Sequence, residues 1–325
     1  MIFLRALAIA GCALAFAGTA VRAADPPASI VIRAGKADSP SHALARQFAE
    51  AVAVAVNGAY TLDVQESQGS VENVQDAVTT RRNYIFTAGP NVIAEARRGA
   101  KPFAPNRRYR AIRALFPIPA TTVHWVVRQD SGIRTLQDLA GHSFIVGGKG
   151  SIAERVTTET LQALGIDGAV QLMDIDGAAA PAALKGNQVS GFALAGAYPL
   201  PAVLALAGAT PIRLLAVTPR EARKILAGDD SLALETVPKG TYPGLDQDVT
   251  ALSLPAGAYT TTAMSAATAY AVTKAFWSQR DALAKRNPPW QAVSPAALAT
   301  LKVRLHRGAL RYYREAGIKV PPALR

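Results

Sequence analysis

Three short stretches carry the residues best suited to chemistry, and each places a hydroxyl where a strand pattern gives way to a helix pattern. They are KADSPSH (36–42), QGSVEN (68–73) and GGKGS (147–151). Backbone N–H groups in the first turn of a helix lack an internal partner, and together with the helix dipole they make a ready anion site. Ser39, Ser41 and His42 stand at the first stretch. Gly69, Ser70, Glu72 and Asn73 stand at the second, and Lys149, Gly150 and Ser151 at the third. Each also has a purely structural reading. Ser151-Ile-Ala-Glu154 has the spacing of a capping box, and Glu72 suits a helix start through the dipole alone. Ser70 can cap in the same way, with Asn73 where a box would want Glu or Gln; that amide can donate to a ligand as well as accept from it. Residue types alone leave helix cap and binding edge open.

Other chemistry has little to stand on. His42, His124, His142 and His306 have no metal-ligand spacing, no paired carboxylates frame an acid/base site, and there is no Gly-x-Ser-x-Gly elbow. Neither a metal nor a cofactor is expected, and the chain does not read as an enzyme. The best contrary signal is Gly148-Lys-Gly150-Ser-Ile-Ala153, which satisfies G-x-G-x-x-A after a strand, with Asp174 closing the next strand. It supports a dinucleotide-dependent oxidoreductase as a third reading. Lys149 is followed by Gly150, which rules out a P-loop.

The elements that must position these residues alternate. SIVIRAG, YTLDVQES and NYIFTAG read as strands, each followed by a helical pattern, and RAIRALFPI and TTVHWVVRQ as two further strands. A second series runs from SFIVGG through AVQLMDI and VSGFALAG to PIRLLAV, again with helices between. VTALSLPAGAYTTT then leads into terminal helices, the last over SPAALATLKVRLHRGALRYYREAG with Gly317 at its end. Strand–helix alternation of this kind requires a largely parallel α/β sheet. Two such series predict two lobes with a ligand cleft between the carboxyl ends of their strands.

The bulk properties set the compartment. MIFLRALAIAGCALAFAGTAVRA has a charged start, a short apolar run and a small-x-small close, which predicts a secretory signal peptide over 1–23 cut after Ala23. IAGC, ending at Cys12, is a weak lipoprotein-box alternative. The mature chain of 302 residues then has no cysteine, so disulfides and thiolate chemistry are excluded. Net charge is +12, or +10 once Arg5 and Arg22 leave, much of it between Arg97 and Arg113. In an exported protein that excess implies a solvated basic face or anion steering, and no nucleic-acid partner.

GSVENV, WVVRQDSGIRTLQDLAGHSFIVGGKGS and HRGALRYYREAGI together resemble the TAXI family, the solute-binding proteins of tripartite ATP-independent periplasmic (TRAP) transporters. The likeness spans essentially the whole mature chain in the same order. It implies a two-lobed, type II-like periplasmic-binding-protein fold with lobe 1 over 24–121 plus 251–325 and lobe 2 over 122–250. It further implies a periplasmic, monomeric receptor that closes on a small organic acid or amino-acid-like solute and delivers it to a TRAP membrane permease. The resemblance puts Gly69–Asn73 on the binding edge of the first lobe and Lys149–Ser151 on that of the second, with Thr87 and Tyr198 as further candidates. Where the family has a glycine-rich first loop this chain has RAGKADSPSH, and where it has Ser-Gly-Thr in the second lobe this chain has Ser151-Ile-Ala. Those departures suggest a solute other than glutamate. They also suit a second reading, a periplasmic ligand sensor on the same scaffold without its own permease.

Overall fold

A computed structural model describes residues 28–37, 39–79 and 82–325. The expected signal peptide, its expected cleavage point and Cys12 lie outside the described residues. The first half of the chain alternates as expected: β1 (Ala28–Arg33), α1 (Pro40–Val56), β2 (Tyr60–Gln65), α2 (Ser70–Asp76), β3 (Tyr84–Ala88) and α3 (Pro90–Arg98). A 17-residue strand, β4 (Ile112–Arg128), follows. The second series comprises β5 (Ser143–Ile145), α4 (Ile152–Leu164), β6 (Gln171–Leu172), α5 (Ala180–Lys185), β7 (Gly191–Gly196), α6 (Pro201–Ala207), β8 (Ile212–Leu214), α7 (Pro219–Gly228) and β9 (Ala233–Val237). The chain returns through β10 (Val249–Thr261) and ends with α8 (Ala266–Arg286) and α9 (Arg307–Glu315).

The strands form one curled sheet in the order β2-β1-β3-β10-β4-β7-β5-β6, with β8 beside β4 and β9 beside β10. Pairing among β1, β2 and β3 is parallel, as is that of β5 with β6 and β7, while β4 and β10 run antiparallel to their neighbours. Two lobes result. One core draws on residues 30–118 and 258–324, and Phe48 of α1 packs edge-on to Phe116 of β4 at 5.5 Å. The other lobe has a core on each sheet face, both from residues 123–252: Trp125 and Val156 on one, Phe192, Tyr198 and Tyr242 on the other. Among the described residues, only β4 and β10 run from one lobe to the other as strands.

Several sequence expectations are corrected. RAIRALFPI and TTVHWVVRQ are one continuous strand, because the same strand serves both lobes. The expected last helix is broken: a 3-10 turn covers Pro295–Leu301, Lys302 takes a left-handed conformation (φ 52°), and α9 starts afresh at Arg307 with the His306 ring accepting from the Gly308 N–H. AVQLMDI contributes only Gln171 and Leu172 to the sheet, and α7 and β9 fall where no element was anticipated. α7 opens with a complete Thr218–Glu221 capping box.

The crossing between lobes has a chemical cause in FPIP and LPAG. The β4–β10 register runs Thr122↔Ser253 and Thr121↔Leu254, then resumes at Ile118↔Ala256, so Pro119, Ala120 and Pro255 fall outside the paired register. Proline has no N–H to give a ladder and is confined in sheets to edges and bulges. The two strands are therefore least tied to each other where one lobe gives way to the next. On either side, Asp230 binds residues of the first lobe: Arg98 lies 3.9 Å from its carboxylate and the Lys302 ammonium donates to its carbonyl at 3.0 Å.

Candidate functional site

The first-lobe edge is built at the ends of β1 and β3. Ser39 is the N-cap of α1, accepting from the His42 N–H at 3.2 Å, and its hydroxyl lies 3.1 Å from that of Ser41. Both hydroxyls sit over Gly35, where an added Cβ would collide with them. His42 points elsewhere. It is 8 % exposed, its Nδ1 has no partner among the described residues, and it lines a groove with Arg46, Glu50, Leu62 and Val64.

At the second stretch the N-cap of α2 is Gly69, not Ser70, and no side chain caps the helix. Gly69 has φ 110°, a conformation that favours glycine. Ser70 is thus the first helical residue, which corrects the capping role read for it from the sequence. Asn73 is fully buried. Its amide nitrogen donates to the Ala34 carbonyl (2.6 Å) and to the Thr87 carbonyl (3.0 Å), so both donors tie the ends of β1 and β3 to α2. Its Oδ1 is buried without a partner among the described residues. Thr87 is itself buried at 4 % exposure. Glu72 accepts from Arg33 at 2.5 Å and from the Gln68 N–H at 2.6 Å, and Arg33 also reaches Asp76 at 3.6 Å. Arg33, Lys36, Glu66, Gln68 and Glu72 surround an open pocket of about 480 Å³. Arg33 was missed by sequence reasoning because it ends a strand, at the edge of RAGKADSPSH rather than among its hydroxyls.

In the second lobe Ser151 caps α4, accepting from the Glu154 N–H at 3.1 Å. The Glu154 carboxylate accepts from Gly150 N–H rather than from Ser151, so the expected box closes one residue early. Gly147 and Gly177 are packing requirements. A Cβ on Gly147 (φ 127°) would lie 2.7 Å from the Ala153 methyl, and one on Gly177 would lie 2.8 Å from the Gly148 nitrogen. Lys149 and Gly150 are exposed at the tip. Among the described residues no hydrogen bond joins Gly69–Asn73 to Gly148–Ser151.

Tyr198 belongs to a different place. Its hydroxyl donates to the Thr236 carbonyl at 3.1 Å, and it lines a cavity of about 270 Å³ beside the lobe crossing. Pro117–Ala120 of β4, Pro255 of β10, Glu235 of β9 and the 292–300 segment form the other walls. Glu235 accepts from the Thr122 hydroxyl at 2.7 Å, and burial raises its pKa above the ordinary carboxylate value while Thr122 and Ser253 oppose the shift. Sequence reasoning passed over Glu235, which lies in an unremarkable ALETV strand and meets Thr122 and the 292–300 segment, both distant in sequence.

Solved structures of similar shape share little sequence with this chain. A TctC solute binding protein from Polaromonas is 12% identical, with 90% of this chain and 98% of that one covered at a TM-score of 0.53. The periplasmic binding protein BugD is 14% identical over 91% and 99% of the two chains, at a TM-score of 0.45. MatC of Rhodopseudomonas palustris, solved with bound malate, is 13% identical over 89% and 99%, at a TM-score of 0.46. The Polaromonas likeness identifies the fold as the two-lobed one of periplasmic solute-binding proteins. Residues 38–317, from the loop before α1 to the turn after α9, match the NMT1-like family, and the chain belongs to that family.

Proposed function

We propose that the chain is a periplasmic solute receptor that binds a small organic anion, a carboxylate or amino-acid-like acid, by closing its lobes. In this reading it is a TAXI-type receptor that hands the solute to a TRAP permease, exported by the signal peptide over 1–23. The lobes are 24–121 with 251–325, and 122–250. The observation that carries the reading is the construction of the crossing: separate hydrophobic cores joined by β4 and β10, whose register is interrupted at Pro119 and Pro255. Cores confined to their own lobes give two rigid bodies, and a thinned ladder lets them rotate about the strands; hinge closure around a ligand uses such a construction.

The anion preference follows from the edges. α1 and α4 begin at serine caps, and Lys36 and Lys149 are exposed beside them. Glu72 is paired to Arg33, so its charge is offset. Ser39, Ser41, Gly69, Ser70, Gly150 and Ser151 remain the donors proposed to meet the solute, with the first-lobe edge held in shape by Asn73.

A thermal-shift screen against amino acids, dicarboxylates, keto acids and aromatic acids tests this. A ligand at about a hundred times its Kd stabilises by about 2.7 kcal/mol. A positive shift with one anion class supports the receptor reading, and no shift with any small anion overturns it.

A further inference from the structure

Beyond the anion cleft, we propose that the cavity at the lobe crossing is a second binding site, for a small organic cation with an ammonium head and a short apolar body. Among the described residues, Glu235 is the one charged side chain lining this cavity. Its described partners are neutral hydroxyls, that of Thr122 at 2.7 Å and that of Ser253, and it makes no ion pair among the described residues. A half-buried carboxylate lining a cavity without a counter-charge is incompletely compensated, and an entering cation is the group that offsets it.

The remaining walls fit the rest of such a molecule. Pro117, Ile118 and Val293 offer apolar surface, Ser253 and Thr300 add hydroxyls able to accept from an ammonium, and Tyr198 supplies an aromatic ring. A volume of about 270 Å³ leaves room for a compact amine. An organic anion would meet Glu235 and be refused, so this site and the proposed cleft select opposite charges.

The placement also gives occupancy a consequence. The cavity takes one wall from β9 and Tyr198 of the second lobe and another from the 292–300 segment of the first, with both crossing strands between them. Any change in the angle between lobes changes its shape. A bound cation therefore favours one lobe angle, and by linkage the affinity of the cleft for its own solute shifts in step.

The test measures binding to the purified protein by calorimetry and thermal shift, with n-butylammonium and cyclohexylammonium as probes, and 1-butanol and butyrate as neutral and anionic controls. The expected result is concentration-dependent stabilisation by an ammonium probe, absent with 1-butanol, with affinity reduced at least tenfold in Glu235→Gln. Because that variant could alter folding, Ala297→Leu fills the cavity while leaving the carboxylate in place; it should abolish ammonium binding in a chain with wild-type circular dichroism. No stabilisation by either ammonium probe overturns the proposal, as does stabilisation undiminished in both variants. Anions found in the screen for the cleft serve as the separating control: their binding should survive Ala297→Leu, so the two sites fail or stand independently.

Discussion

The Nε2 of His124 lies 3.0 Å from the hydroxyl of Tyr242, and the pair completes a directed chain of hydrogen bonds inside the second lobe. The Leu200 N–H donates to the Tyr242 oxygen at 2.8 Å, and His124 Nδ1 faces the Thr122 carbonyl at 3.2 Å. A carbonyl only accepts, so Nδ1 carries the proton and Nε2 accepts from Tyr242. The ring is held neutral, and burial lowers its pKa to about 4 from an ordinary 6.5, against a small opposing effect of the Thr122 carbonyl. A histidine whose folded pKa is lowered contributes stability that is full above 6.5 and is lost as pH falls toward about 4. Relative to His124→Asn, the wild type should lose about 3 kcal/mol between pH 7 and pH 4. Urea unfolding of both proteins across that range measures it, and parallel profiles would contradict the assignment.

Glu235 shows the opposite sign. Its folded pKa is raised, so its contribution is full below the ordinary 4.5 and is lost as pH rises through the folded value. Glu235→Gln in amine-free buffer should be more stable than wild type at pH 7.5, with the advantage disappearing below pH 4.5. Melting curves at the two ends decide it.

Asn73 can be tested as a brace. Asn73→Asp sets a carboxylate against the Ala34 and Thr87 carbonyls in place of two donated hydrogen bonds. An unpaired buried charge of this kind costs about 3–5 kcal/mol. Loss of stability in ligand-free protein is the expected reading; a normal melting temperature with weakened solute binding would instead make Asn73 a contact residue.

The two serine helix starts should respond differently. Ser151 is a true N-cap, so Ser151→Ala should cost about 1 kcal/mol without ligand. Ser70 caps nothing, and Ser70→Ala should change ligand-free stability by less than about 0.5 kcal/mol. Any larger effect of Ser70→Ala should appear only in the ligand-dependent part of the shift.

Gly308 marks where α9 crosses α8. A Cβ there would lie 2.7 Å from the Tyr270 nitrogen and would strike the Ala266 carbonyl oxygen. Gly308→Ala should destabilise by about 1–3 kcal/mol, without changing solute selectivity, as denaturant titration of the variant would show.

What the sequence made legible depended on how local the cause was. The caps at Ser39 and Ser151 and the alternation of the first three strands are written in neighbouring residues, and they stand where the periodicity put them. The single long β4 was read as two strands because its prolines look like a terminus locally, whereas Pro119 alone of them falls outside the pairing, and that only with β10, 130 or more residues away. The roles of Asn73 and Glu235 are similarly non-local: one amide is oriented by carbonyls at the ends of β1 and β3, and one carboxylate is half-buried by a strand and a loop distant in sequence. The family likeness located the motifs, and the coordinates show that Gly147 and Gly308 in those motifs are required by packing.

The interleaved chain course has a consequence for the order in which the protein can assemble. β10 lies between β3 and β4 in the sheet, yet it comes after the whole second lobe in sequence. A polypeptide emerging from its amino end can collect most of the second lobe's apolar residues by residue 237, whereas the first lobe must wait for its missing central strand and for α8 and α9. Until then β3 and β4 present facing rows of unpaired amides, the kind of edge that recruits other chains. A product truncated before residue 249 should therefore self-associate, and any factor that shields nascent chains has the longest work to do on the lobe that was synthesised first.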